Sequence, residues 1–281
     1  MAGTWGQYYH EIASTMGLYC CTNAQLARQA GLCAGMTVVD LGAGSGLTAM
    51  AALDQVPQGL RLSLVDLSPS MIAEARKHLG ERVEAYHVCD AASLSTVIPG
   101  KVDRVLCNLS FWYFRQPEAV LAEVKKILKP TGRLCFTLLG THFNTGGSVV
   151  SPAWALQKVM HDRGMLPKAP LEVERMPNQR SIEGTLNGAG FKPFHYEMID
   201  IATASPETQP GGELHSWVRL FPVTDGADPY AAAAKSVSLL PDLAGDIAAW
   251  QPRWRAALFM AGPNVDPVEA LMSRLGGQPK S

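Results

Sequence analysis

Between Thr37 and Leu139 short, nearly continuous apolar runs alternate with stretches of helical periodicity, and this alternation restricts the chain to very few architectures. TVVDLG, RLSLVDL, VEAYHVCD, VDRVLCNL and the run Arg133 to Leu139 have the length and apolarity of strands buried on both faces. Between them, Gly46 to Leu53, Ser68 to Leu79 and Pro117 to Leu128 read as helices. Ser68 stands as an N-cap with Pro69 at the first helical position, and Lys129-Pro130-Thr131-Gly132 ends the third helix. Strands that alternate with helices in this way predict a parallel, doubly wound α/β sheet.

Outside this region the rhythm changes. Residues 5 to 34 carry Ile12, Met16, Tyr19, Leu26, Ala27 and Ala30 at helical spacing, which predicts a helical N-terminal lid over 1–34 before the core at 35–140. After Gly140 come about forty residues rich in Gly and Pro, read as a lid or substrate insertion over 141–188 and ending in a short helix from Ser181 to Ala189. FKPFHYEMIDIA and LHSWVRLFP then read as a C-terminal antiparallel hairpin within 189–222, which completes a seven-stranded sheet. The last segment, 223–281, is Ala-rich and expected to be helical, with breaks at Pro229, Pro241, Pro252 and Pro263.

The first strand runs into Gly42-Ala43-Gly44-Ser45-Gly46, where missing side chains let the backbone turn sharply and approach a ligand. A dinucleotide fingerprint would place its third glycine one position later, where this chain has Leu47. A Tyr-x-x-x-Lys pair is also lacking, and both points disfavour a nicotinamide oxidoreductase. The first three strands end in acids, Asp40, Asp66 and Asp90, and the fourth in Asn108. In an open α/β sheet these four converge on the crevice outside the carboxyl ends of the strands. A strand-end Asp can also cap the helix that follows it.

Taken together, VVDLGAGSG, LVDLSPSM, VCDAASL, VLCNLSFWY and LKPTGRLCF resemble the class I S-adenosylmethionine-dependent methyltransferases over roughly residues 36 to 140, and the turn Ala189 to Phe191 resembles that family's run-in to its sixth strand. The resemblance implies a Rossmann-like fold with a helical cap and S-adenosylmethionine as cofactor, leaving S-adenosylhomocysteine as product. It also implies that Gly42, Ala43, Gly44 and Gly46 back the amino acid end of the cofactor, with Asp40 near its ammonium group. Asp66 would take the ribose hydroxyls, Leu67 and Met71 would face the adenine, Asp90 and Ala91 would meet the exocyclic amine, and Asn108 would line the methionine end.

Methyl transfer asks the protein to align a nucleophile and exclude water, and a general base helps only where the acceptor carries a proton. Candidates for that base or for a positioning role are His142 at the end of the fifth strand, Tyr9 and His10 (with Tyr8) in the N-terminal lid, and Tyr113 after the fourth strand. His195 and His215 read as structural. Phe111-Trp112-Tyr113-Phe114 could wall an apolar acceptor or pack as ordinary core. Asn108-Leu-Ser-Phe111 lacks both prolines of the signature carried by enzymes that methylate amino groups of nucleobases or glutamine. Trp154, Met160, Met165, Met176, Trp217, Leu220, Phe221, Trp250, Trp254, Phe259 and Met260 supply either a cap over a hydrophobic small molecule or additional core and a homodimer contact.

The expected activity is transfer of a methyl group to oxygen or carbon of a small, hydrophobic organic acceptor such as a natural product. A cofactor-binding cyclase or isomerase of the same fold and a ligand-sensing Rossmann-like protein are the alternatives. A formal net charge of −1 without a basic block argues against a nucleic acid partner. No stretch has the length of a membrane span, the N-terminus lacks a secretory pattern, and the expected location is the cytoplasm. Cys20, Cys21, Cys33, Cys89, Cys107 and Cys135 show no metal-binding spacing and read as reduced core thiols.

Overall fold

A computed structural model describes residues 5–146, 149–203, 205–224 and 228–264. The parallel strands are β1 (Thr37–Leu41), β2 (Arg61–Asp66), β3 (Ala85–Val88), β4 (Val102–Cys107) and β5 (Leu128–Leu139). Two further strands, β6 (Phe191–Asp200) and β7 (Arg255–Pro263), pair with each other, and β7 pairs with β5, in both cases antiparallel. The order across the 7-stranded sheet is β3-β2-β1-β4-β5-β7-β6. Chain direction across the sheet reverses between β1 and β4, and a crevice opens there at their carboxyl ends.

Side chains alternate between the faces as the pleat requires. Val38, Leu62, Leu64 and Leu106 pack under α2 (Gly17–Gln29), α3 (Leu47–Gln55) and α4 (Pro69–Leu79). Val39, Leu41, Val65 and Val105 face the opposite way, toward α5 (Pro117–Ile127) and α7 (Gln179–Gly188). Ser68 caps α4 as its sequence suggests, accepting from the Met71 N–H at 3.5 Å. The N-terminal segment divides into α1 (Trp5–Ala13), laid against α4, and α2, laid against α3. Gly6 makes the first of these contacts close, since a Cβ there would collide with the Ser70 carbonyl oxygen.

Two expectations are corrected. LHSWVRL is a helix, α8 (Glu213–Leu220), because its buried residues Glu213, Leu214, Trp217 and Val218 recur at helical spacing and form one stripe. The seventh strand lies instead in the segment expected to be helical, which contains α9 (Pro229–Ala249) followed by β7. Between β5 and β6 that strand is buried on both faces, so its Ala256–Ala261 run is apolar throughout rather than alternating. The division of 189–222 and 223–281 shifts accordingly, and residues 265–281, including the end of the expected helical tail, lie outside the described residues. Pro193 sits on β6, an edge strand, where a missing N–H is tolerated. Pro241 does not break α9, which runs through it.

Within 141–188 the structure adds a helix, α6 (Pro152–Asp162), packed on α8 and α9. Trp154, Met160, Met176, Trp217, Leu220 and Trp254 join the core, whereas Met165 and Trp250 stay exposed. Of the cysteines only Cys107 and Cys135 are core thiols, both pushed up by burial; Cys20 and Cys33 are exposed, and Cys21 and Cys89 half-buried. Among the described residues no helix is long and apolar enough to cross a membrane.

Candidate functional site

The crevice at the reversal holds two adjoining cavities. One, of about 300 Å³, is lined by Gly42, Ala43, Gly44, Ser45, Tyr9, Tyr19, Asn23 and Asn108 among others. The second, of about 380 Å³, is lined by Leu67, Asp90, Ala91, Ala92, Phe114 and Gln116 among others. Gly42, Asp66 and Tyr113 belong to both walls, so Asp66 stands where the two cavities meet.

The wall is organised by hydrogen bonds that begin at strand ends. Asp66 Oδ2 accepts from the Gly44 N–H at 2.8 Å and Oδ1 from the Ser68 N–H at 2.8 Å, which fixes the glycine loop against the start of α4. Asp90 Oδ1 accepts from the Ala92 N–H at 2.9 Å and turns the chain after β3. Ser110 Oγ donates to the Gly42 carbonyl at 2.9 Å from the β4 side. The loop is left-handed at Gly44 (φ +54), where a Cβ would meet only Tyr9 Cε1 at 3.9 Å and would otherwise project into the cavity. Gly44 thus leaves open a cradle that any side chain would fill.

Asp40 lies outside this wall. It is fully buried beneath the loop on β1, with neither carboxylate oxygen in a hydrogen bond. Burial pushes its pKa up to about 8, and the Asp66 carboxylate adds to the rise. The expected place of Asp40 beside the cofactor's ammonium group is corrected to one below the loop. Met71 lines the glycine-loop cavity rather than the cavity of Leu67 and Asp90.

The expected catalytic residues separate. Tyr9 lines the first cavity, edge-on to Tyr19 with ring centroids 5.8 Å apart, and burial drives its hydroxyl well above the usual phenol range. His10 reaches neither cavity. Its Nδ1 lies 3.0 Å from Ser45 Oγ and its ring stacks on His78 at 3.8 Å, so it ties α1 to the loop rather than facing a substrate. His142 lies beyond Tyr113, between the Trp112 and Tyr113 rings at 6.1 and 5.9 Å, and burial lowers its pKa. It opens onto a third cavity of about 510 Å³, lined also by Gln157, Leu166, Leu171, Trp217 and Phe221. Tyr113 and Phe221 belong to both this cavity and the first. His195 and His215 lie outside these walls.

Sequence reasoning missed Tyr19, Asn23, Thr48 and Ser110 in the first wall. The readable signal was Thr22-Asn23, a polar pair within a helical segment that is otherwise punctuated by apolar residues.

The cavities suit an elongated adenosyl compound. Asp66 at the junction offers a carboxylate for vicinal hydroxyls, the second cavity offers Asp90 beside a half-apolar wall, and the first offers the glycine cradle. Comparisons with known proteins agree. Residues 39–136 match the family described as "Methyltransferase domain". The chain is 36% identical over 103 residues to the malonyl-[acyl-carrier protein] O-methyltransferase of Hahella chejuensis, a match that spans 36% of this chain and 36% of that enzyme. It is 29% identical to the ubiquinone biosynthesis O-methyltransferase of Thiobacillus denitrificans (57% of this chain, 71% of that enzyme). It is 25% identical to the ubiquinone/menaquinone biosynthesis C-methyltransferase of Bordetella parapertussis (76% and 86%). The fold is shared with an S-adenosylmethionine-dependent methyltransferase from Thiobacillus denitrificans solved with S-adenosylhomocysteine, at a TM-score of 0.54 and 18% identity over 86% of this chain and 90% of that one. Residues 39–136 form a methyltransferase domain of the class I S-adenosylmethionine-dependent type, with S-adenosylmethionine as its cofactor.

Proposed function

We propose that the chain transfers the methyl group to an oxygen or carbon of a small, mostly apolar organic acceptor, such as a natural product, held in the third cavity. The observation that carries this reading is that Tyr113 and Phe221 wall both the glycine-loop cavity and a cavity of about 510 Å³ whose other lining includes Leu166, Pro170, Leu171 and Trp217. That volume is in the usual range for small-molecule sites. The O- and C-methyltransferase names of the relatives support the choice of methylated atom.

When bound, the cofactor supplies an activated sulfonium methyl for in-line displacement. Trp217 and Phe221 exclude water from the acceptor, and Tyr113 lies between the acceptor and the cofactor cavities. Its depressed pKa keeps His142 neutral at physiological pH, so it would take up the proton that an acceptor hydroxyl must lose on methylation. Asp66, Leu67, Asp90, Ala91 and the glycine loop hold the cofactor.

A panel of phenols, hydroquinones and small carboxylic acids, followed by mass spectrometry, tests the reading. Formation of a product one methyl group heavier, matched by S-adenosylhomocysteine, supports it, as does a raised KM with Trp217→Ala. A rearranged product without consumption of the cofactor would replace it with cyclase or isomerase chemistry.

A further inference from the structure

Asn23 lies within α2, is only 5% exposed, and lines the glycine-loop cavity. The orientation of its amide is fixed by a chain of hydrogen bonds whose first donor is unambiguous. The Leu109 N–H donates to Thr137 Oγ1 at 2.9 Å, leaving the Thr137 hydroxyl to donate to Asn108 Oδ1 at 2.5 Å. Asn108 Nδ2 is therefore a donor, giving one hydrogen bond to Thr22 Oγ1 at 3.0 Å and another to Asn23 at 2.7 Å. From the other end, the Thr22 hydroxyl donates to the Leu18 carbonyl at 2.8 Å, which leaves its oxygen to accept. The atom of Asn23 that accepts from Asn108 must be Oδ1, and the same oxygen accepts from Thr48 Oγ1 at 2.8 Å.

With Oδ1 occupied twice, the Asn23 NH₂ remains, and among the described residues it has no acceptor. A donor fixed in this way at a cavity wall asks for an acceptor from the occupant. The described residues of that wall include no Lys, Arg or His. At its amino acid end S-adenosylmethionine presents one strong acceptor, the α-carboxylate.

We propose that Asn23 Nδ2 donates to the α-carboxylate of the cofactor, so that this end is recognised by neutral donors, with Asn108, Thr137, Thr22 and Thr48 as positioning residues. The inference rests on the placement of the amino acid end at the glycine loop. The network also explains why Asn108 lines the cavity without being free to serve the ligand, since both Nδ2 hydrogens are engaged by protein.

The test is calorimetric titration of the full chain with two ligands: S-adenosylhomocysteine, and 5′-deoxy-5′-methylthioadenosine, which lacks the amino acid portion. Asn23→Ala should weaken S-adenosylhomocysteine by about ten- to a hundredfold and change methylthioadenosine by no more than about twofold. Asn23→Asp keeps the shape and the accepting oxygen, guarding against a variant that fails to fold, and should lose at least as much for S-adenosylhomocysteine alone. Thr22→Val, which removes one partner of the Asn108 amide that orients Asn23, should shift the ratio of the two affinities in the same direction as Asn23→Ala but by less. Equal losses for both ligands in the Asn23 variants, or no loss for either, would overturn the inference. A parent protein that binds neither ligand would instead overturn the cofactor placement on which it rests.

Discussion

Asp66 holds the Gly44 amide at 2.8 Å, so the acid at the end of the second strand shapes the glycine loop that follows the first. Asp66 also stands at the junction of the two cavities, so on the proposed reading one side chain serves both the protein and the ligand. Asp66→Ala should weaken S-adenosylhomocysteine and methylthioadenosine together, by about 1.5–3 kcal/mol each, since both carry the ribose and both rely on the loop. Unchanged affinities, measured by calorimetry, would remove Asp66 from the ribose site.

Gly44 and Gly46 separate cradle from scaffold. A Cβ at Gly46 (φ +88) would come within 2.6 Å of Leu79 Cδ1, whereas at Gly44 it would enter the cavity. Gly46→Ala should therefore lower the melting temperature more, and Gly44→Ala should lose more cofactor affinity for a stability cost of about 1–2 kcal/mol from the left-handed backbone. Thermal unfolding and titration of the two variants check the contrast.

Asp40 makes stability depend on pH. Its folded pKa, pushed up to about 8, exceeds the unfolded value, so the folded state binds more protons between the two and stability falls as pH rises across that window. Asp40→Asn should flatten this decline and stabilise the cofactor-free protein near pH 8, by on the order of 1–3 kcal/mol. Denaturant unfolding at acidic and alkaline pH gives the comparison, and a parallel pH dependence in the variant would contradict it.

His142 is expected to act as a base without touching the cofactor cavities. His142→Ala should lower turnover about 10²–10⁴-fold while leaving S-adenosylhomocysteine affinity unchanged. Because burial lowers its pKa, the parent rate should be flat near neutrality and fall only in acid below the ordinary imidazole range. A rate within a few-fold of the parent would retire this role.

The cofactor half of the molecule was legible because its constraints are local. A strand buried on both faces must be apolar, a tight loop must be glycine, and an acid at or just past a strand's last residue, as Asp66 and Asp90 are, falls at the crevice. β7 escaped for the converse reason: Ala, Leu, Phe and Met between Arg255 and Pro263 carry no β-branched signature, and only the neighbours β5 and β6 make that run a strand. The short apolar run of α8 read as a strand, although its buried residues are spaced as a helical stripe. Asn23 was hidden because its role depends on partners far along the chain, Thr48 and Asn108. The family resemblance placed Asp40 beside the ligand, but one residue before the end of β1 its side chain is fully buried under the loop.

The most direct test of the account is calorimetric titration of the purified chain with S-adenosylhomocysteine and, in parallel, NADH. The crevice described here predicts saturable binding of S-adenosylhomocysteine, strongly reduced by Asp66→Ala, and none of NADH. Folded protein that ignores S-adenosylhomocysteine, or that binds NADH equally well, would contradict it.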